Sequence, residues 1–108
     1  MDSGNVRKKD TVAELVVAFC KDFARREEAI AQGNLSHRTI VELKYYNYKI
    51  LEAAREIVGE RDAPVFISDI GNSVGYASSS LDYFSEAYYK TKKIEVRNNI
   101  AKRLHLTD

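Results

Sequence analysis

The sequence predicts an all-α fold, a compact helical bundle of four to five helices with a helix-turn-helix-like corner towards the C-terminus. Three observations predict it. Apolar residues recur at three- and four-residue steps over long stretches, no alternating strand series occurs, and one proline and five glycines interrupt 108 residues. With 44% hydrophobic and 31% charged residues, the chain has the composition of a folded protein and the length of one domain. Residues 1–108 are therefore read as a single helical domain.

Residues 1–9 lack periodicity and read as a flexible arm carrying Arg7, Lys8 and Lys9. A helix is expected over 10–32, capped by Asp10 or Thr11, with Val12, Leu15, Val16, Phe19, Phe23 and Ile30 on one stripe. Cys20 lies beside that stripe and reads as a small buried thiol. Gly33-Asn34 ends the helix, and Ser36 caps the next, expected over 36–58 and closed by Gly59. Ile40, Leu43, Ile50, Ala54 and Ile57 form its main face. Asn47 falls on the same face and needs partners, so it is expected to hydrogen-bond across the core or fix helix register. On the other side, Val41, Tyr45 and Tyr48 make a second stripe. A helix apolar on two sides is central or touches a partner, which makes Tyr45 and Tyr48 candidate partner-binding residues in a homodimer or a contact with another protein. The run Tyr45-Tyr46-Asn47-Tyr48 also has the aromatic content to stack on bases.

Residues 60–64 read as a loop, followed by helices over 65–73 and 79–104 and an expected break or kink at Asn98-Asn99. Between these helices, Gly71 is a small residue for close approach, Gly75 can end a helix left-handed, and three serines offer a cap. Ile70, Val74, Tyr76, Leu81 and Phe84 would pin the two helices together. Over residues 67–84 the sequence resembles the helix-turn-helix transcription regulators of the sigma-factor-like and phage late-gene activator type. That resemblance implies double-stranded DNA as partner, with Ser78, Ser79 and Ser80 at the front of a recognition helix. Tyr83 would face base edges, and Lys90, Lys93 and Arg97 would lie farther along the same face. Asp82 and Glu86 stand where such a helix favours Arg, Lys, Asn or Gln.

Charge is distributed unevenly about a formal total of +1. Residues 60–86 carry five acids and one base, and residues 87–108 carry six bases and two acids. The total gives no general attraction to nucleic acid or anionic membrane, while the basic segments could add salt-sensitive attraction to phosphates. No apolar run approaches the roughly 20 residues of a membrane span. The N-terminus lacks a signal-peptide pattern, and the single cysteine excludes an internal disulfide, so a cytoplasmic location is expected. His37 and His105 have no companions at metal-ligand spacing, and no phosphate loop, dinucleotide fingerprint or nucleophile elbow occurs. No enzyme activity, metal, cofactor or small-molecule substrate is expected. Two functions remain: a small DNA-binding transcriptional regulator acting as a dimer, or a helical protein–protein interaction module.

Overall fold

Apolar stripes on successive helices are hidden by packing helix against helix. The computed structural model describes residues 3–107, with side chains from residue 11 onward. Five α-helices follow one another: α1 (Ser3–Lys21), α2 (Phe23–Gln32), α3 (His37–Val58), α4 (Ala63–Gly71) and α5 (Glu86–Arg103). A single 3-10 turn occupies Tyr76–Ser78, and no strand occurs among the described residues. The all-α bundle is thus what the chain forms. The central helix, α3, packs on α2, α4 and α5, while α1 crosses α4 and α5. Val16 and Cys20 of α1, Ile50 and Ala54 of α3, Phe66, Ile67 and Ile70 of α4, and Tyr89, Val96 and Ile100 of α5 meet in one core.

Several elements differ from the sequence reading. Helix α1 already runs from Ser3, inside the segment read as an arm, because a helix held by Val16 and Cys20 extends cheaply into unpatterned residues. Met1, Asp2 and the side chains of Arg7, Lys8 and Lys9 lie outside the described residues. The helix expected over 10–32 is divided at Asp22. Side chains repair that division. Arg26 donates to the carbonyl of Phe19 and, at 2.6 Å, to Oδ1 of Asn47. Asn47 in turn donates to the carbonyl of Phe23 and to Glu27, both at 3.1 Å. The buried amide therefore bonds across helices. Replacing it by an apolar side chain leaves carbonyl and guanidinium groups short of partners, so Asn47→Leu is expected to destabilise the fold by about 1–3 kcal/mol in urea unfolding.

The caps of α3 are local. Ser36 Oγ accepts from the amide of Thr39 at 3.2 Å, and Gly33 and Gly59 turn the chain with φ of 71° and 85°. At the C-terminal corner the geometry is less local. Gly75 has φ −90° and ψ 173°, so it ends no helix left-handed; the positive φ belongs to Ser73, at 54°. The corner between α4 and α5 is wider than a tight turn and takes up residues 72–85. Helix α5 begins only at Glu86, capped by Ser85, whose Oγ accepts from the amide of Tyr88 at 3.1 Å. It runs unbroken through Asn98-Asn99, because Asn99 donates to the carbonyl of Ala53 and to Glu56 on α3 and not to its own helix.

The molecule is flat, 42 × 41 × 21 Å. Its radius of gyration of 14.7 Å exceeds the roughly 13 Å usual for this length. Much of the excess is a helical hairpin: α2 has no fully buried residue, and α3 has none before Asn47. This hairpin holds the face described next.

Candidate interaction face

The residues expected to read DNA are dispersed by the way residues 72–85 fold. Asp69, on the buried side of α4, accepts on Oδ2 from Ser79 Oγ at 2.6 Å and from the Tyr89 hydroxyl at 2.9 Å. Ser79 Oγ also accepts from the amide of Leu81 at 3.0 Å, which pins Leu81 into the core. Lys93 donates to the carbonyl of Val74, and the Tyr76 hydroxyl donates to that of Phe84 at 2.6 Å. The connection is held by side-chain bonds in place of a helix.

Ser79 is consequently 7% exposed and unavailable to phosphate. Ser78 ends the 3-10 turn and Ser80 lies in the loop, so neither stands at the front of a helix. Tyr83 is also off the helix; its hydroxyl donates to Asp62 at 2.7 Å and Arg61 covers its ring. Lys90 is ion-paired with Glu86 at 2.7 Å, and Lys93 turns inward. Arg97 sits half-buried on α5. The predicted contacts do not form one basic surface, because neighbouring acids and carbonyls engage most of them.

Two buried acids of the core make stability depend on alkaline pH. Burial pushes the Cys20 thiol from 9.0 up to about 12. Burial first, and the bond to Asp69 second, push the Tyr89 phenol from 10.0 up to about 12. Both are neutral when protonated, and the folded chain keeps the proton where the unfolded chain has lost it. Their stabilising contribution is therefore complete below the unfolded values and is lost as pH rises towards 12. Urea unfolding is expected to give a free energy that declines above pH 9, with the early part of the decline removed in Cys20→Ala.

The second stripe of α3 survives as a surface. Val41, Tyr45 and Tyr48 point outward on successive turns and are 51%, 46% and 57% exposed. Both sequence-predicted partner residues, Tyr45 and Tyr48, thus share one face. Tyr45 lies edge-on to Tyr46, with centroids 5.7 Å apart, and Lys49 covers its other side. The Tyr48 hydroxyl donates to Glu52 at 2.7 Å, a bond that raises the phenol's pKa. Glu52 is itself paired with Arg103 of α5. Arg38 and Glu42 flank the stripe at its outer end, 3.9 Å apart. Beside it opens a groove of about 340 Å³, lined by Phe19, Asp22, Arg25, Arg26, Ala29, Leu43 and Tyr46.

A second aromatic patch lies at the start of α5. Tyr83, Phe84 and Tyr88 pack ring to ring at 4.5 and 4.7 Å, with Lys92 over Tyr88. Phe84, expected within a helix over 79–104, lies instead just ahead of Ser85, the cap of α5. Among the described residues no His, Cys, Asp or Glu group could hold a metal, and no helix is long and apolar enough to cross a membrane. Compared with protein-family models, curated proteins and solved structures, the chain finds no match.

Proposed function

We propose that the chain is a helical protein–protein interaction module that receives a helix of its partner on the outward face of α3. The observation that carries this reading is the exposure of Val41, Tyr45 and Tyr48 on successive turns of the longest helix. The face is backed by Asn47 and Ile50, both buried, so it is presented with little ordering left to do. Covering three half-exposed large side chains yields about 1 kcal/mol each from apolar area. Tyrosines at the centre of a desolvated contact add more, since hot spots are enriched in such residues.

Double-stranded DNA recognition draws less support. It needs bases gathered on one exposed surface. Here Lys90, Lys92 and Arg103 have acidic partners, and Ser79 is buried.

A photo-crosslinking amino acid in place of Tyr48, expressed in cells of the source organism, tests the reading. Adducts are expected at this position, absent with the same group at exposed Lys102, and lost when Tyr45→Glu is introduced alongside. Equal labelling at both positions, together with salt-dependent retention on duplex DNA, would overturn it.

A further inference from the structure

The occupant of the α3 face can be named from its charge order. Along this side run the exposed Arg38 and Glu42 and the half-buried Lys49 and Glu52, in the order plus, minus, plus, minus, with Tyr45 at the middle. Arg103 of α5 already pairs Glu52. All four fall on one side of a 100°-per-residue helix, as does Tyr45. Glu56 falls on the same side and, like Glu52, is paired with Arg103. With Glu56 and Arg103 included the side still carries no net charge, which disfavours nucleic acid or a strongly charged partner. The four-residue pattern is also antisymmetric on reversal. When a second identical helix is laid antiparallel with a two-fold axis at Tyr45, Arg38 meets Glu52 and Glu42 meets Lys49, twice each. A parallel copy would set like charges side by side.

We infer that the α3 face binds a second copy of this chain, helix to helix and antiparallel, with the two Tyr45 side chains facing each other across the two-fold. This rests on the reading of α3 as a docking face and names its partner. Such a contact is isologous and closes on itself, so it makes a dimer and no filament. The apolar residues recur at alternating three- and four-residue steps about Tyr45, as a short two-helix seam requires. Its small area places it among weak, reversible associations, micromolar or weaker. Lys44, on the opposite flank, approaches its own copy near the two-fold axis and weakens the contact further.

Sedimentation equilibrium from low micromolar to near-millimolar concentration tests the inference. Monomer–dimer exchange is expected for the wild type. Glu42→Lys or Lys49→Glu alone should weaken the dimer at least about tenfold by placing like charges together, and the two combined should restore it. Tyr45→Cys should form an intermolecular disulfide under mild oxidation, because residue 45 faces its own copy across the two-fold; buried Cys20 does not compete. Circular dichroism of each variant verifies that the helices persist. A monomer at every concentration overturns the inference. If Tyr48 cross-links then appear at a mass other than twice the chain, the docking face stands with a different partner; if none appear, both fail. A dimer that ignores the charge swaps and leaves Tyr45→Cys unlinked also overturns the inference.

Discussion

Gly71→Ala is expected to destabilise the fold by about 2–3 kcal/mol, while Gly75→Ala is expected to be neutral or slightly stabilising. A Cβ built on Gly71 would lie 2.6 Å from the amide nitrogen of Lys21, 2.7 Å from the carbonyl carbon of Cys20 and 2.8 Å from the Cα of Lys21. All three are backbone atoms of α1. No side chain can swing away, so α1 and α4 must part, and with them the core contacts of Cys20 and Ile70. Alanine's better helix propensity returns up to about 1 kcal/mol, not enough to offset the clash. Gly75 has open space around its Cβ position and an extended backbone that alanine adopts freely. Paired urea unfolding curves check both. A stable Gly71→Ala variant would mean that α1 and α4 do not touch at this point.

Asp69→Ala is expected to be comparably damaging, about 2–3 kcal/mol, because buried Ser79 loses its acceptor and Tyr89 is left with the longer bond to the Val74 carbonyl. Ser79 and Tyr89 both donate to the same carboxylate oxygen. Among the described residues no buried side-chain nitrogen or oxygen lacks a partner. After the deletion Ser79 Oγ keeps the Leu81 amide but has no acceptor for its proton, and the Tyr89 hydroxyl keeps only the Val74 carbonyl at 3.2 Å. Ser79→Ala alone should lose about 1–2 kcal/mol, and the double variant should fall short of the sum by about 1 kcal/mol, the signature of a shared network. Limited proteolysis is expected to cut residues 72–85 in Asp69→Ala and spare them in the wild type. Equal resistance would show that the network does not hold this connection.

How much of this was legible depends on the range of the forces involved. Gly33, Ser36 and Gly59 act within a turn of their own position, and the start and end of α3 could be read from them. The two stripes of α3 were legible for the same reason. Gly71 was recognised as a close-approach residue, but its neighbour is α1, fifty residues earlier in the chain, and not the helix that follows it. The serine cluster looked like a helix cap because Ser79 prefers such positions locally; its actual acceptor is Asp69, and that pairing exists only once α4 and α5 have packed. The division at Asp22 was hidden likewise, since Arg26 and Asn47 stabilise it from a second helix. Resemblance to a DNA reader followed from residue spacing alone, and the spacing is here spent on a pinned loop.

The most direct test of the central claim is amide NMR on one labelled sample, followed through dilution and then through addition of mixed-sequence duplex DNA. The account predicts that dilution moves amides of residues 38–52 on α3, and that duplex leaves residues 85–97 of α5 in place at moderate salt. Shifts on α5 with duplex, and none on α3 at any concentration, would contradict it.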